Sequence, residues 1–189
     1  MDKNEKVLKL PRWEELPAID LYIDQVVSLL NEWLDFIPRS SDEQVITKTM
    51  INNYVKHGLV EAPKKKKYTR THVAYLLIVC IFKHVYSMSE IHDMIRLQVH
   101  TYPIENSYNY YIEDLEYCAK AIMNGEKIHH EQDPGEDIMK KMLHAVNDSL
   151  VNKFYVQKNV KIQREIDQKR VYARRREAVL NSRKSTNAE

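Results

Sequence analysis

The segment Ile46–Val73 (ITKTMINNYVKHGLVEAPKKKKYTRTHV) constrains the chain most, because its 28 residues hold a helix start, a helix stop, two short extended runs and a second helix start. Thr47 is an N-cap residue and Gly58 is the residue best suited to the left-handed geometry that ends a helix. Between them Met50, Ile51, Tyr54 and Val55 recur on one helical face. Thr49, Asn52, Asn53 and Lys56 fall on the opposite face at i, i+3, i+4 and i+7. That polar stripe carries no acid, and each of its side chains forms hydrogen bonds. Asparagine amides pair bidentately with adenine edges, while Thr49, Lys48 and Lys56 suit phosphates or bases. By itself the stripe reads equally well as a solvated face.

Its sequel decides between these. Leu59–Ala62 and Lys66–Thr69 are two short strand candidates around Pro63, Lys64 and Lys65, so a hairpin tipped with Lys64, Lys65, Lys66 and Lys67 follows the helix directly. The order of helix, stop, basic hairpin and next helix is that of a winged helix-turn-helix. The wing over 62–68, with Tyr68 at its base and Arg70 beyond, would lie on phosphates while a recognition helix over about 48–57 enters the major groove.

The rest of the chain predicts helices. Only three glycines and six prolines in 189 residues argue against an all-β protein. A first helix is expected over Ala18–Asp35, after a 1–17 arm in which Pro11 and Pro17 bracket Trp13 and Leu16. Its apolar positions are Ile19, Ile23, Val26, Val27, Leu30, Trp33 and Leu34, with Trp33 read as core. Arg70–Val85 contains the run VAYLLIVCIF, too short to span a bilayer and suited to a buried central helix holding Cys80 as a packed thiol. Ser87 and Glu90 form a capping box for a helix that ends near His100 to Pro103. Asn106–Asn124 is the next, stopped by Gly125. Glu136 to about Val156 carries a wide apolar face that suits packing on the domain or against a second subunit. A weakly periodic basic tail follows from Lys158.

The string ITKTMINNYVKHGLV, then KKYTRTHVAYL, then SMSEIHDMI resembles the DNA-binding half of the MerR family. The longer string from LPRWEELPAIDLYIDQV to KKKKYTRTHVA more closely resembles an uncharacterised bacterial family of Firmicutes known only as a domain of unknown function. The likeness covers roughly residues 8–100. It implies a mostly α protein with a MerR-like winged helix-turn-helix, additional C-terminal helices and one small β-hairpin wing. Three departures from MerR proteins stand out: a longer first helix with a longer connection after it, Asn52-Asn53 where an arginine is usual, and Lys67 where a glycine is usual. The domains expected are 1–103 for DNA binding, 104–157 for dimerisation or an effector, and 158–189 as a basic helical tail.

Charge agrees with a polyanionic partner. Seven basic residues face Glu61 alone between Lys48 and His72, and ten face four acids between Lys158 and Glu189. Separated basic patches on a chain of net charge +2 point to localised contacts with double-stranded DNA. Five tyrosines between Tyr102 and Tyr117 suit core packing or the wall of a small-molecule effector pocket. His129 and His130 with nearby acids invite a metal, but no ladder of ligands at metal spacing accompanies them, so 127–135 reads as a polar loop and no metal or cofactor is expected. No phosphate loop, nucleophile elbow or catalytic carboxylate pair emerges, so no enzymatic activity is expected. Unpaired Cys80 and Cys118 and the lack of an apolar leader point to a cytoplasmic protein without a membrane span. The expectation is a sequence-specific transcriptional regulator that acts as a homodimer. The alternative is a protein-interaction module that keeps the fold without binding DNA.

Overall fold

The computed structural model describes residues 8–38, 43–130 and 137–186, with side chains as far as 175. The chain is mostly helical with one small antiparallel sheet. It divides into a unit that ends at Phe154 and a second unit from Tyr155. Among the described residues no helix is long and apolar enough to cross a membrane.

The first described residues do not dangle as an arm. Leu10 and Leu16 are buried, and a single 3-10 turn forms at Trp13–Glu15. After it, Leu21–Tyr22 forms a strand, β1, and helix α1 spans Ile23–Trp33. The helix therefore starts five residues later than its periodicity predicts, and Ile19 is 73% exposed rather than core. Extended backbone at Leu21 and Tyr22 is held by a strand from far along the chain, a partner no local pattern reveals. Val26, Leu30 and Leu34 bury the inner face of α1, and Trp33 packs partly buried against the same core, as read from the sequence.

Helix α2, Lys48–Lys56, is pinned before it begins. The Asn31 side chain on α1 donates through Nδ2 to the carbonyls of Val27 and Ile46, each at 2.8 Å. Its Oδ1 accepts the N–H groups of Val45 at 2.8 Å and Ile46 at 3.3 Å. Lys83 Nζ donates to the Val45 carbonyl at 2.6 Å.

The expected hairpin forms only in part. Leu59 and Val60 are buried but not in a strand, so no 59–62 strand exists. The strand that does form is β2, Lys67–Tyr68, and it pairs antiparallel with β1 in the register Leu21 to Tyr68 and Tyr22 to Lys67. A one-bridge turn, Lys64 to Lys67, remains of the wing. The physical reason is burial: Leu59 and Val60 fill the core at the end of α2, which leaves β2 to find its ladder with the extended residues ahead of α1.

Helix α3, Arg70–Phe82, is buried on nearly every side, as its unbroken apolar run predicts. Helix α4, Met88–Thr101, opens on the predicted capping box: Ser87 N–H donates to Glu90 Oε2 at 2.7 Å, and Glu90 N–H to Ser87 Oγ at 3.3 Å. The bonds Glu90 accepts hold its carboxyl below the usual range. Helix α5, Ile104–Met123, ends at Gly125 with φ +72°. Helix α6 spans Ile138–Thr186, its residues to Phe154 belonging to the first unit. There Val146, Leu150 and Val151 are buried, so the middle of the apolar face packs on its own chain, while Ile138 and Met142 stay exposed. From Tyr155 to Arg175 the described side chains are exposed apart from Gln157 and Lys158. Arg176, on the basic tail, and residues 131–135 of the polar loop lie outside the described side chains.

The N-terminal stretch is fastened to α5. Leu10 N–H donates to Glu116 Oε1 and Arg12 pairs with Glu116 Oε2, both at 2.7 Å. Asn109 Oδ1 accepts the Trp13 N–H at 2.7 Å, and the Tyr108 hydroxyl donates to the Pro11 carbonyl at 3.0 Å. The core is continuous from Leu10 to Val151.

Candidate functional site

Thr47 Oγ1 accepts the Met50 N–H at 3.2 Å, which satisfies one of the free donors at the start of α2. At the far end Gly58 takes φ +72°; its N–H reaches the Val55 carbonyl and the Leu59 N–H reaches Tyr54, both at 3.0 Å. That is a Schellman ending, with Leu59 buried beneath it. The helix is locked at both ends, with Ile51 and Tyr54 inward. Burial pushes the Tyr54 phenol well above its ordinary pKa, so it stays neutral. Thr49, Asn52, Asn53 and Lys56 are all exposed, which leaves an acid-free face that nothing on the described chain covers.

In the turn, Lys65 and Lys66 have φ of 51° and 61°. Two successive left-handed residues are the geometry of a type I′ turn, which asparagine and glycine adopt far more readily than lysine. Lys64, Lys65, Lys66 and Lys67 are exposed. The other predicted cations are already engaged. Lys48 pairs with Asp24 on α1, the Lys67 ammonium sits 5.7 Å from the centre of the Tyr22 ring, and the Arg70 guanidinium lies 5.7 Å from that of Trp13. Tyr68 is 3% exposed, with its ring edge-on to His72 at 5.7 Å. It anchors the base of the turn and has no free surface to offer a partner. The structure thus leaves Thr49, Asn52, Asn53, Lys56, Lys64, Lys65 and Lys66 exposed and buries Tyr68.

A second feature lies in the same unit. A cavity of about 370 Å³ is walled by Tyr75, Ile78 and Phe82 of α3, Met94, Ile95 and Gln98 of α4, Tyr108, Tyr110 and Tyr111 of α5, and Met139, Leu143 and Val146 of α6. Its wall is almost wholly apolar. Tyr111 is only 3% exposed, and its hydroxyl has no partner among the described residues. Of the five tyrosines grouped in the sequence, Tyr102, Tyr108, Tyr110 and Tyr111 line this space. Tyr117 instead donates to the His129 carbonyl at 2.8 Å.

A third feature was not read from the sequence. Asp114 and Cys118 on α5, His144, Asn147 and Asp148 on α6, and His130 from the connection between them converge. Asp114 Oδ1 lies 3.4 Å from His130 Nδ1 and 3.6 Å from His144 Nε2. Asp148 Oδ1 lies 2.9 Å from His130 Nε2. The two imidazoles stack with centroids 4.0 Å apart and planes at 7°. Asn147 donates to Asp114 Oδ2 at 2.8 Å, and the Tyr110 hydroxyl is bonded to His144 Nε2 at 2.8 Å. Burial, and then the two carboxylates, push the Cys118 thiol far up, so it is a thiol rather than a thiolate here. The available signal was the repeated i, i+4 spacing, Asp114 with Cys118 and His144 with Asp148, which puts each pair on one helical face. Of the adjacent His129 and His130, only His130 joins the cluster.

A protein-family model described as "Domain of unknown function (DUF1836)" matches residues 11–111. No curated protein and no solved structure matches the chain.

Proposed function

The chain belongs to the DUF1836 family, and from that premise we propose that it is a sequence-specific DNA-binding transcriptional regulator with a MerR-like winged helix-turn-helix. The observation that carries the reading is the face of α2: Thr49, Asn52, Asn53 and Lys56 are exposed together, free of acids, on a helix locked at both ends. Asn52 and Asn53 would read base edges in the major groove. Lys64, Lys65 and Lys66, held out on a tight turn, would lie on phosphates, with Lys67 at the margin. Exposed apolar residues along α6, among them Tyr155, Val156, Val160, Ile162 and Ile166, support a homodimer reading two half-sites. The cavity supports control by a small, largely apolar effector, because its wall is built almost wholly from aromatic and aliphatic side chains.

Selection of bound duplexes from a random pool, followed by fluorescence anisotropy, tests the reading. The expected result is a recovered consensus whose affinity falls steeply with salt. Absence of binding at low salt overturns it. The same exposed, acid-free face also supports a second reading, in which it meets an acidic protein partner rather than DNA. Protein capture without any selected duplex would point there.

A further inference from the structure

The His–Asp cluster between α5 and α6 is not used by the DNA-binding reading and is independent of it. We propose that Asp114, His130 and His144 bind a divalent transition-metal ion of the zinc class, with Asp148 and Asn147 orienting the ligands from behind.

Three observations converge on this. The donors suit such an ion, since two imidazoles and one carboxylate favour zinc, cobalt or ferrous iron over magnesium or calcium, which want oxygen alone. The spacing suits it too. Ligand atoms about 2.0–2.1 Å from a tetrahedral ion stand about 3.3 Å from one another. Asp114 Oδ1 is already 3.4 Å from His130 Nδ1 and 3.6 Å from His144 Nε2.

Supporting groups are also in place. Metal-binding histidines characteristically give their second ring nitrogen to a carboxylate, and His130 Nε2 is 2.9 Å from Asp148 Oδ1. Asn147 bonds Asp114 Oδ2, which leaves Oδ1 for the ion. Asn147 is 0% exposed and its own Oδ1 has no partner among the described residues, so the cluster contains a buried acceptor suited to a water on the ion.

One adjustment is required. A metal lies in the plane of the imidazole that binds it, and the two rings are stacked in parallel. One ring must turn about its Cβ–Cγ bond. His144 is the one to do so, because the ion takes the Nε2 that Tyr110 now holds, while His130 keeps its Nε2 on Asp148. Binding therefore separates the stacked pair.

The test uses the full chain, stripped with chelator and then dialysed against Zn²⁺ or Co²⁺. One ion per chain is expected, with Co²⁺ giving the intense visible absorption of a tetrahedral site and Zn²⁺ raising the melting temperature. The ring resonances of both His130 and His144 are expected to shift together on Zn²⁺ addition. His144→Ala is expected to weaken binding at least 100-fold, and Asp148→Asn, which keeps all three ligands, about 10–100-fold. His100→Ala, on exposed α4, is the control and is expected to leave affinity unchanged. If His144→Ala does not fold, Asp148→Asn decides: wild-type affinity together with a wild-type melting curve in chelator overturns the proposal. Failure of the wild type to retain an ion, or Zn²⁺ affinity that is lost in His100→Ala instead, overturns it as well.

Discussion

Asn31 grips Ile46 through both of its backbone polar groups, donating to its carbonyl at 2.8 Å and accepting its N–H at 3.3 Å. The same amide bonds Val45 N–H and the Val27 carbonyl, so one side chain on α1 sets where α2 begins. Asn31→Ala strips partners from backbone groups in a buried stretch, at about 1–3 kcal/mol for each group left unsatisfied. A total loss of about 2–4 kcal/mol is expected in urea unfolding. Asn31→Asp keeps the shape but cannot donate to Ile46, and is expected to fall between wild type and Asn31→Ala.

The turn lysines allow stability and binding to be separated. Lys65 and Lys66 hold positive φ, which costs lysine about 1 kcal/mol or more each relative to a residue at ease there. Replacing the pair with Asn-Gly is expected to raise the melting temperature. The same change removes two charges, so it is expected to weaken every DNA sequence alike and flatten the salt dependence by about two counterions. A stabilised variant with unchanged DNA affinity would show that the turn does not touch phosphate.

Asn52→Ala is expected to behave in the opposite way. It is exposed, so stability stays within about 0.5 kcal/mol of wild type. Discrimination at one or two base pairs falls by about 1–3 kcal/mol each, read from anisotropy on single-substituted duplexes.

His84 makes stability depend on acidity. Burial first, and then Lys83 and Lys153, press its pKa down to about 4, and burial also lowers that of His72. Both imidazoles are neutral in the fold and accept protons more readily once unfolded. Their contribution is therefore complete above the ordinary histidine pKa of about 6.5 and is lost as pH falls from there toward 4. Urea unfolding across that window is expected to show stability declining with acid. His84→Gln is expected to flatten the decline by up to one proton.

Tyr111→Phe tests the cavity. The hydroxyl has no partner to lose among the described residues, so its removal is expected to be neutral or to stabilise by about 1 kcal/mol. If an effector uses that hydroxyl, the same variant binds it more weakly while the fold gains. Calorimetric melting with and without a library of small aromatic compounds reads both effects.

What was legible in the sequence follows the range over which it is encoded. The Thr47 cap, the Gly58 stop, the Ser87–Glu90 box and the buried run of α3 each depend on residues within a turn or a single helix, and each is found. The sheet was misread because Lys67 and Tyr68 pair with Leu21 and Tyr22, a helix pair away, while the nearer Leu59 and Val60 are drawn into the core. The start of α1 shifted for the same reason. The docking of Leu10, Arg12 and Trp13 on α5 and the meeting of His130 with Asp114 and Asp148 join points far apart in the chain, which periodicity does not report.

Tyr110 belongs to two places at once. It lines the cavity, and its hydroxyl is bonded to the His144 nitrogen that an ion would claim. An ion there releases that hydroxyl, and a molecule filling the cavity bears on the same ring. Two ligands that compete for or share one phenol must alter each other's affinity by an identical factor. The concentration of one would then set the threshold at which the other is sensed, so the two could not be read as separate inputs.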